Sequence, residues 1–312
     1  MRIATYQAYQ SSLLNLQARS TALAQTQSQM TSGLRVQVPS DDPVAAAVVV
    51  RSMAAQSQNT AQTTALQASQ NDMQLAEGAL GSASTMLQQA RSLVVSAGNA
   101  SLSDADRATI AQQLQGIRTD LISLANTADG NGRYVFGGQG SDTQPFLDGT
   151  NGVTYSGQPG QQQATSSQPM PLTVDGNAAW MQAGDPNKPG STLSVFATLT
   201  NTINALNTPG QSSTQIAQTV SQGLAGLDAV HNNILSAQSA AGQALDTANT
   251  VSNQLSQNML NEQTAQSNAQ NLDMTSAISN FTNQQTSYQA ALKTYSLIQQ
   301  MSLFNYVSPS AG

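Results

Sequence analysis

The sequence predicts a mainly α protein: a long antiparallel helical bundle or coiled coil with paired N- and C-terminal helices and a small β-rich insertion domain. Three observations lead to this fold class. Apolar residues recur at three- and four-residue spacing over long stretches, as they do in packed helices. Aromatic residues make up only 4% of the 312 residues, which argues against one large globular core. Glycine, proline and short β-prone pieces are concentrated in one central stretch.

The N-terminal segment carries a heptad seam that ends near Gly33. Its apolar positions are Tyr6, Tyr9, Leu13, Leu16, Leu23, Met30 and Leu34. Gly33 predicts the end of this helix, because glycine readily adopts the left-handed conformation of a helix C-cap. An extended connector is predicted over Val36–Ser40, since a residue before proline avoids the helical region.

A second helix is predicted to begin directly after the connector, at the adjacent carboxylates Asp41 and Asp42. Such a pair can serve acid–base or metal chemistry. However, Asp42 is a preferred N-cap residue, and Pro43 suits the first helical position. Asp41 adds negative charge near the positive end of the helix. We therefore interpret Asp42 and Pro43 as a structural cap.

The second helix has large residues every seven positions, each followed three residues later by a small one. The large residues are Leu66, Met73, Leu80, Leu87 and Val94, and the small ones are Ser69, Ala76, Ala83, Ala90 and Ala97. This alternation predicts a partner helix at close approach. Gly98 predicts the end of the helix, and Ser103, followed by acidic residues, predicts the start of a third.

The chain changes character after a breaker at residues 129–132. Beyond it, β-prone pieces separated by turn residues predict the β-rich insertion. Helix resumes near Ser194, and Ser213 predicts the cap of a long helix whose seam changes phase near residue 270. The new seam comprises Met274, Ile278, Phe281, Tyr288, Leu292 and Tyr295. The matching helices at the two ends are expected to pair with each other around nested inner helices.

Composition excludes several classes of function. The formal net charge is −6 and no basic run exists, so the clustered Lys and Arg of a nucleic-acid site are missing. The longest apolar run, Val44 to Val50, is far shorter than the roughly 20 residues that span a membrane. The first residues lack the apolar region of a cleavable secretion signal. We expect no nucleic-acid binding, no membrane segment and no cleaved signal peptide.

No arrangement of residues indicates an enzyme. The chain has no cysteine, which excludes disulfides and thiolate metal sites, and its single histidine excludes multi-histidine sites. That residue, His231, lies on the seam of the long helix, so we interpret it as a half-buried interface residue. Asp228 lies one helical turn away and gives no triad geometry. The glycines at 137–140 lack the third glycine of a dinucleotide fingerprint. We expect no catalytic, cofactor or metal site.

The remaining function is association through the terminal seams. Polar residues interrupt both seams, so a helix pair built from them is expected to be weak by itself. We therefore hypothesise that the terminal segments are poorly ordered in the monomer and fold when subunits stack. The candidate assembly interface comprises Leu13, Leu16, Leu23, Met30, Met274, Ile278, Phe281, Tyr288, Leu292 and Tyr295.

Three blocks of residues resemble the flagellin superfamily. The first runs from Met1-Arg2-Ile3 through Ser32-Gly33-Leu34-Arg35 to Ser40-Asp41-Asp42-Pro43. The second is Gly132-Arg133-Tyr134-Val135-Phe136-Gly137-Gly138 with Ser141-Asp142-Thr143-Gln144-Pro145-Phe146, which resembles the hook-filament junction branch more than filament flagellin. The third is Gln285-Thr286-Ser287-Tyr288-Gln289-Ala290-Ala291, closing with Met301-Ser302-Leu303-Phe304-Asn305-Tyr306-Val307. Together these blocks place the similarity over nearly the whole chain.

The resemblance implies an extracellular structural protein of the bacterial flagellum, exported unfolded by the type III apparatus. It implies a ring of subunits at the hook-filament junction, between the first hook-associated protein and flagellin. By the same resemblance, residues 1–43 with 270–312 form a coiled-coil inner domain. Residues 44–138 with 192–269 form a helical rod, and residues 139–191 form an insertion that projects outward.

The resemblance also implies an export chaperone of the FlgN type, which would bind a C-terminal apolar stripe. The stripe comprises Ile278, Phe281, Leu292 and Ile298. Two alternatives stay open. The chain could be filament flagellin itself, or it could be a secreted helical effector or translocator, which would share the polar amphipathic helices and the lack of cysteine.

Overall fold

The computed structural model describes residues 2–140, 142–163 and 170–307, and these residues form seven α-helices and two short β-hairpins. The helices are α1 (Arg2–Ser32), α2 (Pro43–Ala97), α3 (Asp104–Ala125), α4 (Gly176–Met181), α5 (Val195–Leu206), α6 (Ser213–Gln270) and α7 (Met274–Val307). The strands are β1 (Phe146–Gly149), β2 (Gly152–Tyr155), β3 (Ala183–Gly184) and β4 (Thr192–Leu193). The predicted fold class is confirmed. Met1 and Ser141 of the quoted blocks, and residues 164–169 and 308–312 of the predicted domains, lie outside the described residues.

The chain divides into two compact units. The first contains Met1–Asn59 with Gln257–Gly312, and the second contains Thr60–Ser256. Helices α2 and α6 each contribute to both units, and both hairpins belong to the second. The domain boundaries that the resemblance implies, at residues 43, 138, 191 and 269, stay a prediction.

Most helix termini lie where capping residues predicted them. Ser103 forms a capping box with Asp106 at the start of α3, and Ser194 accepts hydrogen bonds from two backbone N–H groups at the start of α5. The prediction of Ser213 as a cap was wrong by one residue. Ser212 and Gln215 exchange the capping hydrogen bonds, because Gln215 stands at the third helical position that a capping box requires.

The core of the second unit is built on the large-small alternation of α2. All ten residues of that pattern between Leu66 and Ala97 are buried. From Met73 onward, the pattern shares one buried cluster with Leu227, Val230 and Ile234 of α6 and with Leu114 and Leu121 of α3. Leu66 is buried in a smaller cluster with Leu255 of α6. Because alanine or serine stands between the large residues, neighbouring helices can approach closely and interdigitate.

Aromatic residues anchor the first hairpin and α4 to this core. The chain's only tryptophan, Trp180, stacks on Phe196 of α5 with ring centroids 5.9 Å apart and meets Phe136 edge-on at 5.5 Å. Phe146 of β1 contacts both Phe196 and Tyr155 of β2. The β-rich stretch therefore contributes a buried aromatic cluster that heptad periodicity did not predict.

A buried arginine fixes the hairpin to the helices. Arg118 of α3 donates two hydrogen bonds to the carboxylate of Asp148 on β1, at 2.8 and 2.6 Å. Its Nε donates to the Thr200 hydroxyl of α5 at 2.9 Å. The hydrogen bonds from Arg118 hold the pKa of Asp148 below its ordinary value. This planar two-bond geometry sets the position of β1 more sharply than apolar contact alone would.

A second arginine joins two acidic residues. Arg133 lies 3.3 Å from Asp72 of α2 and 3.1 Å from Asp129, and both carboxylates are largely buried. Burial raises the pKa of Asp72, although Arg133 opposes the shift. For Asp129, burial is outweighed by hydrogen bonds from the N–H groups of Arg133 and Asn131, so its pKa is lowered. Arg133 is therefore the counter-charge that makes burial of Asp72 tolerable.

The α2 pattern predicts unequal costs for two leucines on the same helix. Leu80→Ala should lower the free energy of unfolding of the second unit by about 3 kcal/mol, because Leu80 is fully buried. Leu75→Ala, at a position that is 40% exposed, should cost less than about 1 kcal/mol. Urea unfolding followed by Trp180 fluorescence measures both. Equal losses in the free energy of unfolding would contradict the assignment of the buried face of α2.

Burial of the Asp72 carboxylate predicts that the stability lost in an Arg133 variant depends on pH. Arg133→Met should lower the free energy of unfolding by about 3 kcal/mol at pH 7, since it leaves the buried carboxylate of Asp72 without its counter-charge. Asp129 also loses its ion pair but keeps the hydrogen bonds from the backbone N–H groups of residues 131 and 133. Because burial raises the folded-state pKa of Asp72 above 3.8, this loss should shrink as the pH falls from 7 towards 4 and the carboxylate takes up a proton.

Urea unfolding of wild type and variant at both pH values tests the prediction. The double variant Arg133→Met with Asp72→Asn is the control and should recover most of the stability at pH 7. A loss of stability that is the same at pH 4 and pH 7 would mean that Asp72 is not the group responsible.

Candidate assembly surface of the terminal helices

The terminal helices α1 and α7 pack against each other within the first unit. The Tyr295 hydroxyl donates to the Tyr9 hydroxyl at 2.8 Å, and the Thr26 hydroxyl donates to the Gln284 side chain at 2.9 Å. An early residue of α1 thus meets a late residue of α7, so the two helices run antiparallel. The predicted pairing of the chain ends is confirmed.

The tyrosine pair is polar as well as aromatic. The rings of Tyr9 and Tyr295 lie 5.6 Å apart between centroids. The hydrogen bond to Tyr9 raises the pKa of the Tyr295 phenol above its ordinary value. Gln299 donates a further hydrogen bond to Tyr295 at 3.2 Å. Hydrogen bonds therefore supplement a contact in which apolar burial is small.

The predicted interface residues fall into two groups. Six lie half-buried along the pair: Leu16, Leu23, Met30, Phe281, Tyr288 and Tyr295. The other four are exposed, namely Leu13 (46%), Met274 (43%), Ile278 (51%) and Leu292 (42%). The first group is available to hold α1 to α7, and the second is available to a partner outside the chain.

The exposed residues form strips along their helices. At about 100° per residue, Met274, Ile278 and Leu292 lie within about 40° of one another on α7, beside the half-buried positions. On α1, Tyr6 and Leu13 lie within about 20° of each other, and both are exposed. An apolar strip beside a partly covered seam is the pattern expected of a helix that packs against a further helix.

The predicted chaperone stripe is only partly accessible in this arrangement. Ile278 and Leu292 are exposed, whereas Phe281 and Ile298 are half-buried. A ligand that needs all four side chains would therefore compete with α1 for the same side of α7.

The two adjacent carboxylates before α2 both serve the backbone. Asp42 accepts hydrogen bonds from the N–H groups of Val44 and Ala45, and Pro43 is the first residue of α2. The bond from Ala45, followed by one from the Arg35 side chain, lowers the pKa of Asp42. Asp41 accepts from the N–H groups that precede Pro39. Each carboxylate thus stabilises a local turn.

Elsewhere, His231 lies 2.8 Å from the hydroxyl of buried Ser84, between α6 and α2. The nearby carboxylate of Asp228 is bound by Arg91 at 2.8 Å. The described ranges contain no group of three or more potential metal ligands, and none of their helices is long and apolar enough to cross a bilayer.

Known proteins resemble this chain along almost its full length. Residues 3–141 match the family described as the bacterial flagellin N-terminal helical region. The flagellar hook-associated protein 3 of Salmonella typhimurium is 35% identical over 316 residues, which cover 97% of this chain and 99% of that protein.

Two solved structures share the fold. The Xanthomonas campestris FlgL structure has a TM-score of 0.61 and 21% identity and covers 70% of this chain and 99% of its own. The flagellar junction protein FlgL of Legionella pneumophila has a TM-score of 0.55 and 23% identity, with coverages of 59% and 93%.

The half-buried seam predicts how protease sensitivity responds to mutation. Leu23→Ala should open the α1–α7 pair about tenfold more often, because it removes roughly 1.4 kcal/mol of apolar burial. Trypsin should then cut faster after the exposed residues Arg19 and Lys293, while cleavage after Arg91 in the second unit stays unchanged.

Leu14→Ala is the matched control, since Leu14 is 65% exposed and its loss should leave all three cleavage rates as they are. Gel densitometry of a digestion series measures the rates. If Leu23→Ala and Leu14→Ala behaved alike, the half-buried seam would not hold the pair together.

Proposed function

The chain belongs to the family of flagellar hook-associated protein 3, and we propose that it is the structural protein that joins the flagellar hook to the filament. The match at 35% identity carries this proposal, because it covers 97% of the chain and so includes both terminal helices as well as the central region. The family is one of structural flagellar components.

The proposed place in the flagellum defines the partners. The first hook-associated protein would lie on the hook side, flagellin on the filament side, and further copies of this chain around the same ring. The chain would reach this place by type III export without a cleaved signal peptide and would act outside the cell. Residues 139–191 would form the part that faces away from the axis.

The terminal helices are the proposed assembly element. Their exposed strips on α1 and α7 offer apolar surface that further helices can cover, and burial of such surface drives association. Charged residues make up only 8% of the chain, so these contacts would depend little on ionic strength. Helices that gain apolar contacts only in the ring would be ordered there more firmly than in the monomer.

An export chaperone of the FlgN type is proposed to bind α7 before assembly. The stripe of Ile278, Phe281, Leu292 and Ile298 would be fully accessible only on a chain in which α1 is not yet paired with α7. Pairing of the terminal helices would then release the chaperone, because both compete for the half-buried side chains.

Filament flagellin is the second candidate, because residues 3–141 match a family described by flagellin itself. The two functions differ in copy number and position. A junction protein forms one thin layer, whereas flagellin forms the whole filament.

Deletion of the gene separates these candidates. For a junction protein, electron microscopy should find bare hooks, and immunoblots should find full-length flagellin lost into the medium. Re-expression of the wild-type chain should restore attached filaments. Hooks with no flagellin signal in cells or medium would make this chain the filament subunit, and intact filaments would contradict both candidates.

A further inference from the structure

We infer that Arg35 is a latch that holds the terminal helix pair at a fixed angle to the adjoining ends of α2 and α6. The residue lies in the connector between α1 and α2, and nothing in the interface prediction singled it out. All of its contacts are within the first unit. Only the consequence of the latch for the flagellum rests on the proposed function.

Two connectors join the terminal pair to the long helices, and their backbones are hydrogen-bonded to each other. The Arg35 N–H donates to the Gln270 carbonyl at 2.7 Å, and the Leu272 N–H donates to the Gly33 carbonyl at 3.0 Å. Gly33 has a φ of +72°, a conformation that glycine adopts without strain. The chain thus turns out of α1 directly beside the point where α6 ends.

The Arg35 side chain ties this turn to two helix ends. One guanidinium nitrogen donates to the Ala269 carbonyl at 2.8 Å, one of the last α6 carbonyls that lack a partner within the helix. The other donates to Asp42 at 2.9 Å, the carboxylate that also caps α2. A cation at the negative end of α6 and an anion at the positive end of α2 are both favourable placements.

Arg35 also contacts the helix that it follows. Its carbonyl accepts a hydrogen bond from the Gln29 side chain of α1 at 2.8 Å. This one residue therefore bonds to α1, α6 and the cap of α2 simultaneously. The planar guanidinium fixes the directions of its two bonds, which the flexible ammonium of lysine would not do.

The contacts suit control of an angle better than general stabilisation. The Arg35 side chain is 44% exposed, and an exposed ion pair contributes little to the free energy of folding. Neither the α1–α7 seam nor the core of the second unit includes it. Its loss should leave the helices formed and let the pair swing about the two connectors. In an assembled ring, such movement would misalign the apolar strips of neighbouring subunits.

Distances between spin labels test the latch on the purified full-length chain. The chain has no cysteine, so Gln25→Cys on α1 and Ser57→Cys on α2, both exposed, can be labelled selectively. The background chain should give one narrow distance distribution. Arg35→Ala should widen it at least twofold without loss of helical circular dichroism, and Arg35→Lys should fall between the two.

Two further variants complete the design. Asp42→Asn keeps an N-cap oxygen but removes the charge, so it should also widen the distribution. Arg51→Ala removes an exposed arginine from α2 in the same unit and should change nothing. If Arg35→Ala lost helix content, the distance distributions of Arg35→Lys and Asp42→Asn would show whether the Arg35 contacts hold the angle of the terminal pair. A broad distance distribution in the background chain would overturn the latch. So would a distribution that stays narrow in Arg35→Lys and Asp42→Asn.

A cell experiment separates the latch from the proposed function. Arg35→Ala should be exported at the wild-type level but should lose filaments under shear. A widened distance distribution together with shear-resistant filaments would uphold the latch in the molecule and contradict its proposed use at the junction.

Discussion

Close approach of helices through alternating large and small residues is the constraint on which the second unit depends. From Met73 to Ala97 of α2, a methionine, leucine or valine every seven residues, with alanine between them, brings α3 and α6 near enough to bury a continuous core. A chain with 8% charged and 4% aromatic residues has few other sources of stability. The aromatic cluster around Trp180 and the arginine-fixed hairpin pack onto that core and would have no surface to bind without it.

The first unit uses the same periodicity with less burial. Along α1 and α7 most of the described side chains are exposed, a half-buried row follows the seam, and Thr26 and Ala277 are the buried ones. Tyr9, Tyr295, Thr26 and Gln284 supply hydrogen bonds where leucines would otherwise pack. Apolar surface left uncovered within one chain is then available for contacts between chains. A partly stable element that is completed by neighbours would suit the proposed route, in which the chain is exported unfolded and becomes ordered in the ring.

Local signals predicted most of the helical framework. Gly33, the Asp42–Pro43 cap, Ser103 and Ser194 mark helix ends because capping depends on residues only a few positions apart. The pairing of the chain ends could be predicted because both ends carry matching heptads. The phase change near residue 270 corresponds to a break between α6 and α7, which a continuous seam cannot cross.

Local sequence signals did not predict the interactions between residues that are distant in the sequence. Arg118 meets Asp148 across 30 positions of sequence, and Arg35 meets Ala269 across 234. Neither arginine lies in a sequence pattern that indicates which residue it binds. Likewise, the four exposed candidates for the interface could not be distinguished from the six half-buried ones, because the heptad period alone does not say which flank of a helix pair stays exposed.

The location and number of copies of the chain in isolated flagella test the central claim most directly. Gold-labelled antibody with quantitative mass spectrometry should place the chain in a single band at the boundary between hook and filament. The number of copies per flagellum should not change with filament length. Label along the whole filament, with copies rising in proportion to its length, would contradict a junction protein, as would absence of the chain from isolated flagella.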